Sequence, residues 1–247
     1  MKNLRKETRS SLILLTIAAI VAIQLSACKK HCGDRTTEEV SITGQIQGVI
    51  IEGPWEVTIT QDNADNSAIL EYCSCGKNEI SAQLLSNGYL HIKISSWGHS
   101  HSNDVFRATI NATALKKIEA SGAADIRTYG NFSGSSTDID LSGASKVNFE
   151  AMNVEYCTVN CSGASTFKGG GYATKTSFTG SGASKLKTLS LVSENLDIDL
   201  SGASEVEVTV NNAIKGRLSG ASTLKYKKAK NVSGVSTSGG SKIIKLD

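Results

Sequence analysis

Seven copies of a four-residue phrase, Ser-Gly-Ala-Ser or a near variant, govern what this chain can fold into. They begin at Ser121, Ser142, Ser162, Ser181, Ser201, Ser219 and Ser238, at intervals of 21, 20, 19, 20, 18 and 19 residues. A nearly constant period close to 20 is the signature of a solenoid, in which each repeat buries its apolar face only against its neighbours. Aligned on the first serine, the repeats show which side chains face inward. Three residues before it stand Ile118, Ile139, Val159, Phe178, Ile198, Gly216 and Val235. One before come Ala120, Leu141, Cys161, Gly180, Leu200, Leu218 and Thr237, and five after come Ile126, Val147, Phe167, Leu186, Val206, Leu224 and Ile243. Polar residues separate these columns at period two, the alternation of a strand with one buried and one wet face. The fold class read from this pattern is all-β: a parallel β-helix, or solenoid, with rungs of about 20 residues, whose columns stack as ladders about 4.8 Å apart. A leucine-rich repeat of similar period would need a Leu-rich consensus and an Asn ladder, and neither is present.

The phrase then has a physical task. Between two strands of one coil the backbone must turn sharply; Gly supplies a conformation closed to other residues, and Ala lets the corner pack tightly. The flanking serines can bond along the stack or to local backbone groups, satisfying a turn that sits against other turns instead of water. Four residues after the first serine the column reads Asp125, Lys146, Thr166, Lys185, Glu205, Thr223, Lys242. Asp125 with Lys146, and Lys185 with Glu205, are expected as opposite charges on adjacent rungs that help hold register. The last rung, residues 241–247, has no helix to cover it, so its open edge is a candidate for pairing with a second copy of the chain.

Before Leu115 the phrase is absent but strand signals are dense, giving an irregular β-rich amino-terminal half over residues 40–114. Residues 55–60 and 89–94 alternate strictly between apolar and polar. Ser86-Asn87-Gly88 reads as a hairpin turn before Tyr89, and Pro54 stands at a strand start, where its missing N–H does least harm. The expected organisation is a signal segment at 1–27, a polar tether at 28–39, the amino-terminal β-rich part at 40–114 and the repeat β-helix at 115–247.

The first residues have the architecture of a secretory signal: a basic run with Lys2, Arg5, Lys6 and Arg9, an apolar stretch at 12–23, and small residues before a cysteine. Leu25-Ser26-Ala27-Cys28 resembles the bacterial lipobox, which implies that Cys28 is lipidated and holds the protein on a membrane without crossing it. Lys29 and Lys30 follow, so a periplasm-facing and a surface-exposed position on the outer membrane both stay open. Removing the four bases and Glu7 of this segment takes the formal net charge from +3 to 0. A near-neutral chain gives no support for nucleic-acid binding. Of the remaining cysteines (Cys32, Cys73, Cys75, Cys157 and Cys161), the last two are four apart in one expected strand, roughly 13 Å, too far to bridge. They read as small core residues.

A search for chemistry yields little. No nucleophile elbow, Walker loop or His-Glu-x-x-His occurs. Asp138 with Asp140, and Asp197 with Asp199, repeat the same two columns and have the residue types of a calcium site or of the paired acids of a polysaccharide-cleaving β-helix. They stand three rungs apart, so a polar outer face is the expected reading. Cys73-Ser74-Cys75 and His99-Ser100-His101 have the residue types of a soft-metal site, but nothing in the sequence brings the two together, and no metal, cofactor or catalytic residue is assigned. Trp55, Trp97, Tyr129 and Tyr172 are candidates for contact with sugars or partner proteins, or for the core wall.

The lipobox, Gly53-Pro54-Trp55-Glu56-Val57-Thr58-Ile59 and the Leu-x-x-Ile-x-x-Ser-Gly-Ala pattern from Leu115 to Ala123, followed by the repeated phrase, resemble the autotransporter adhesin head (GIN) domain family over residues 40–247. That resemblance implies a β-helical exported protein of the bacterial cell envelope and supplies no catalytic residues to carry over. The expected function is a lipid-anchored, non-enzymatic solenoid acting as an adhesin-like or scaffold module toward a glycan, a host protein or an envelope protein. The alternatives are a carbohydrate-active enzyme on a β-helix and a periplasmic sensor of the envelope that binds a partner protein.

Overall fold

The computed structural model describes residues 35–61, 65–73, 79–95 and 106–247. The expected signal segment, Cys28, Cys32, Cys75, Trp97, His99 and His101 lie outside the described residues. Within them the chain is a stack of strands. In the amino-terminal part these are β1 (Arg35–Glu39), β2 (Gly48–Gly53), β3 (Glu56–Gln61), β4 (Ser67–Cys73), β5 (Ile80–Leu84), β6 (Tyr89–Ile94), β7 (Arg107–Ala112) and β8 (Lys117–Gly122). The repeats supply β9 (Asp125–Leu141), β10 (Lys146–Cys161), β11 (Thr166–Gly180), β12 (Lys185–Leu200), β13 (Glu205–Leu218), β14 (Thr223–Lys227), β15 (Asn231–Thr237) and β16 (Lys242–Lys245).

From β9 to β13 each strand is one coil, paired in parallel with the coil before and the coil after. The register joins Ile118 to Ile139, Val159, Phe178, Ile198, Gly216 and Val235, the column read from the sequence. All of its members up to Ile198 are buried, as are Ile126, Val147, Phe167, Leu186, Val206 and Leu224 in the column after the corner. Each fully buried Ile, Leu or Phe stabilises by about 1.5–3 kcal/mol relative to an exposed one, so the ladders are the main source of cohesion. Cys157 and Cys161 are free and buried, as small core residues; burial pushes their thiols up to about 12 and about 11.

The corners are repeated atom by atom. Gly122, Gly143, Gly163, Gly182, Gly202, Gly220 and Gly239 have φ between +67° and +81°. From Ala144 onward, the amide of the residue after each of these glycines donates to the carbonyl of the glycine one rung below, at 2.7–2.8 Å. The second serine of the phrase faces inward: Ser145, Ser165, Ser184, Ser204 and Ser222 are buried. Ser184 Oγ meets Ser204 Oγ at 3.0 Å, while Ser204 and Ser222 donate to the carbonyls of Ser201 and Ser219, both at 2.8 Å. Among the described residues the buried hydroxyl of Ser145 has no hydrogen-bond partner, while that of Ser165 lies against the Cys161 thiol.

The amino-terminal part contributes two further rungs, out of sequence order. Strand β2 pairs in parallel with β6 on one side and β8 on the other, and β3 does the same with β7 and β9. The rung β2/β3 is thus sandwiched between β6/β7 and β8/β9. Its corner, Gly53-Pro54-Trp55, replaces the phrase: Gly53 lies in register with Gly122, and Asp125 N donates to Trp55 O at 2.8 Å. Residues 113–116 carry the chain past this rung, with Lys116 N bonded to Gln47 O at 2.7 Å. Beyond β6/β7 the stack ends in antiparallel strands, with β4 on β7, β1 on β4 and β5 on β6. The β5–β6 connection is the hairpin expected at residues 86–88, closed by Gly88 at φ +79° and by Gly88 N to Leu85 O at 2.9 Å.

One expectation is revised here and one open alternative is decided. Residues 35–39, read as part of a tether, form β1: Thr36 and Thr37 are β-branched, Arg35 Nη1 pairs with Glu71 Oε1 at 2.9 Å, and Tyr72 donates to Glu38. Trp55, a candidate for partner contact or for the core wall, has 0% exposure and packs edge-to-face on Phe106, ring centroids 5.5 Å apart. In register it fills the inward corner position that Ser145 holds in the repeats, so it is core. At the opposite end β15 and β16 pair only with β13 and β14, and their outer edge has no strand against it among the described residues.

A pair of substitutions tests the corner. A Cβ on Gly182, at φ +71°, would stand 2.7 Å from Gly163 O, whereas one on Gly134 meets nothing within 4 Å. Gly182→Ala is expected to lower unfolding stability by roughly 2–4 kcal/mol, and Gly134→Ala to leave it unchanged or raise it by a few tenths, in denaturant unfolding followed by circular dichroism.

Candidate binding faces

Outward positions of a solenoid either pair with their neighbours on adjacent rungs or remain free to bind. The face before the corner is mostly of the first kind. Asp138 and Asp140 on β9 are followed in register by Thr158 and Asn160, Ser177 and Thr179, then Asp197 and Asp199 on β12. Three interstrand steps of about 4.8 Å separate the acid pairs by roughly 14 Å, beyond the spacing of paired glycosidase carboxylates. Each pair is also occupied. Asp140 accepts from Lys117 and from Asn160 Nδ2 at 2.7 Å; Asp197 lies 3.2 Å from Lys175 Nζ and 3.4 Å from Lys215 Nζ; Arg217 binds Asp199 through Nε and Nη2.

These contacts shift the groups' titration. The hydrogen bond and charge of Arg217 hold the Asp199 carboxyl below the usual carboxylate range. For Asp140 burial works the other way, but Lys117 and Asn160 outweigh it and the carboxyl is again lowered; Lys117 is correspondingly raised despite its own burial. On the face after the corner, Lys225 does the same for Glu205 and also reaches Glu207 at 3.2 Å. The charge pairs expected from the sequence are therefore redistributed. Asp125 and Lys146, and Lys185 and Glu205, do face each other in register. The direct contacts run instead from Arg127 to Asp125 at 3.6 Å and from Lys225 to Glu205. A long side chain reaches a neighbour along its own strand or on the far rung as easily as the one opposite.

Of the soft-metal candidates, only Cys73 is within the described residues, and it is disulfide-bonded, which removes its thiolate from any ligand set. Among the described residues no group of three His, Cys, Asp or Glu converges. His91 instead pairs its Nε2 with Glu52 Oε1 at 2.8 Å.

The second kind of surface is carried by tyrosines. Tyr129, Tyr156 and Tyr172 are 47%, 55% and 39% exposed. Tyr129 and Tyr172 are legible as candidates in the sequence; Tyr156 is not, because it follows Glu155 on the same outer surface and breaks the period-two pattern. Tyr172 lies in register with Asn153, and Tyr156 with Lys175 and Ser136, so the two tyrosines stand diagonally on adjacent rungs. Around them are amides: Asn153, Asn195, and Asn211, whose Nδ2 donates to Glu194 Oε1 at 2.7 Å, while Tyr172 OH lies 3.3 Å from the same oxygen. Two exposed rings on a rigid sheet, surrounded by amides, present area at low entropic cost together with hydrogen-bonding capacity.

A solenoid with one regular, partly unpaired surface is the class of protein whose extended side is its working part. Residues 46–229 match the family described as "Putative auto-transporter adhesin, head GIN domain", and the chain belongs to that family. None of the curated proteins compared matches it. Among solved structures it is similar to a "putative adhesin" from Bacteroides fragilis NCTC 9343, at 15% identity and TM-score 0.77, covering 86% of this chain and 97% of that one. A "putative adhesin" from Parabacteroides distasonis ATCC 8503 gives 12% identity, TM-score 0.67 and coverage of 87% and 98%. A "putative lipid binding protein" from the same organism gives 15%, 0.62, and 87% and 98%. At these identities the likeness is one of fold. Family membership places the chain among adhesin-like proteins associated with the cell envelope or surface.

The ion pairs make a prediction about pH. Asp140, Asp199 and Glu205 have folded-state values below their unfolded ones, so each contributes stability above the unfolded value that is lost as pH falls through the folded value. Denaturant midpoints are expected to fall on acidification below about pH 4, and less steeply in Asp199→Asn/Glu205→Gln. Parallel slopes for the two proteins would show that these pairs carry no linkage.

Proposed function

We propose that the protein is a lipid-anchored, non-enzymatic binding module of the cell envelope, held through Cys28 and engaging its ligand with the tyrosine and amide surface of β10 to β13. The observation that carries this reading is the contrast between the two surfaces. The acids that resemble catalytic pairs are bound to Lys117, Lys175, Lys215 and Arg217, whereas Tyr156 and Tyr172 are exposed on a rigid support. Exposed aromatics beside amides suit stacking on a sugar ring with hydrogen bonds to its hydroxyls, or a partner protein's surface. Family membership and the lipobox at 25–28 support an envelope location.

Two measurements test the two halves of the proposal. In cells expressing the full chain, Cys28→Ala is expected to move the protein from the membrane to the soluble fraction, and protease shaving of intact cells then distinguishes the outer surface from the periplasmic side. Retention of Cys28→Ala on the membrane would refute the anchor. On glycan and matrix-protein arrays, Tyr156→Ala/Tyr172→Ala is expected to lose about 2 kcal/mol or more of whatever binding the parent shows. Undiminished binding would remove this surface from the function.

A further inference from the structure

The face after the corner aligns several cations in register beside a groove. In register, Arg127 on β9, Asn148 on β10, Lys168 on β11 and Lys187 on β12 form one row along the solenoid axis. The adjacent column places Lys146, Thr166 and Lys185 beside them. All five cations are exposed. Arg127 is 3.6 Å from Asp125, but Lys146, Lys168, Lys185 and Lys187 have no carboxylate at ion-pair distance among the described residues. Arg35, Arg107, Lys117, Lys175, Lys215, Arg217 and Lys225 do, whereas Lys93, Lys116, Lys227, Lys228, Lys230, Lys242 and Lys245, like the row, have none among the described residues. Glu205 and Glu207, in register with Lys185 and Lys187 on the next rung, are contacted directly by Lys225, while the charges of Lys185 and Lys187 also act on Glu205. Lys168 and Lys187 moreover face each other directly, and like charges directly opposite on paired strands destabilise a sheet.

A groove accompanies the row. A depression of about 400 Å³ runs over the bend of the coils beside Arg127, Lys168 and Lys187. Gly169 and Gly170 lie in it, and no side chain could replace Gly170: a Cβ there would stand 2.3 Å from Glu150 O. Tyr129, 47% exposed, and Ser190 line it as well. So does Glu150, whose Oε2 accepts from Gly130 N at 2.8 Å.

We infer that this groove binds a linear anionic polysaccharide, its acidic groups lying along the Arg127, Lys168 and Lys187 row and its hydroxyls reaching Glu150, Asn148 and Ser190. The row is straight and spans three interstrand steps, roughly 14 Å, a length that suits a few units of an extended chain. Tyr129 offers a ring face at one side of the depression. Glu150 decides between polyanions. An acceptor-only carboxylate within a cationic groove repels a phosphate-dense polymer or a headgroup layer, but accepts hydrogen bonds from a chain that carries hydroxyls beside its charges. This inference uses the binding-module reading only in taking the solenoid's side as the working surface; its residues are different ones.

The test is binding of the full chain, in detergent, to immobilised polygalacturonate and alginate, with neutral dextran, duplex DNA and phosphatidylglycerol vesicles in parallel arms. Binding to one or both acidic polysaccharides is expected, weakened by salt and reduced about tenfold or more in Lys168→Gln/Lys187→Gln, with Lys215→Gln unchanged as the paired-lysine control. The double variant is also expected to unfold no more easily than the parent, since it relieves a like-charge contact, which separates loss of binding from loss of fold. Tyr129→Ala should weaken polysaccharide binding without altering the salt dependence. Equal binding by the double variant, equal loss in Lys215→Gln, retention on neutral dextran alone, or binding confined to DNA or to vesicles would each overturn the inference. Loss of array binding in Tyr156→Ala/Tyr172→Ala with intact polygalacturonate binding would uphold it independently of the tyrosine surface.

Discussion

Everything in this molecule depends on one contact repeated along its axis: the amide after each corner glycine donating to the glycine carbonyl one rung below. It fixes the stacking distance, because the backbones must come within hydrogen-bond range at the very point where the chain turns. It also fixes composition. The glycine must have positive φ, and a Cβ on Gly143, Gly163, Gly182, Gly202 or Gly220 would lie 2.5–2.7 Å from the carbonyl beneath. Once the corners are aligned, the inward columns are aligned too, and Ile, Val, Leu and Phe stack on their own kind without any further specification.

Much of this was legible in the sequence, because the constraint is local and recurs. The three apolar columns and the glycine corners follow from spacing alone, as does the hairpin closed by Gly88. What was not legible has a common cause: it depends on which rung lies next to which. Gly53-Pro54-Trp55 forms the same corner as the repeated phrase but shares only its glycine, so the rung β2/β3 could not be recognised by self-similarity. Trp55 reads equally as a contact residue or as core wall until its register with the buried serines is known. Likewise β1 looks like a polar tether because an edge strand needs no apolar face.

The candidate surfaces show the same division. Tyr129 and Tyr172 stand out as residue types, but that Tyr156 and Tyr172 are neighbours follows only from the register of β10 on β11. The cationic row is the sharper case. Arg127, Lys168 and Lys187 belong to different repeats and are unremarked by any motif, and the row they form is defined by the register that sets them along one groove. Sequence columns list charges; they do not report which acids are already bound by Lys117, Lys175, Lys215, Arg217 and Lys225.

The sandwiched rung has a consequence for how the chain must assemble. A polypeptide is made from its amino terminus, and most solenoids can in principle add each coil onto the one just completed. Here β2 and β3 are made early, yet one of their two edges is covered by β6 and β7 and the other by β8 and β9, both much later in the chain. Until Lys117 to Tyr129 has been synthesised, this early coil keeps an open parallel edge carrying Val49, Ile51, Val57 and Ile59. The amino-terminal half therefore cannot be a finished unit on which the repeats are later threaded. The repeats are what complete it, and the order of synthesis and the order of the stack are necessarily different.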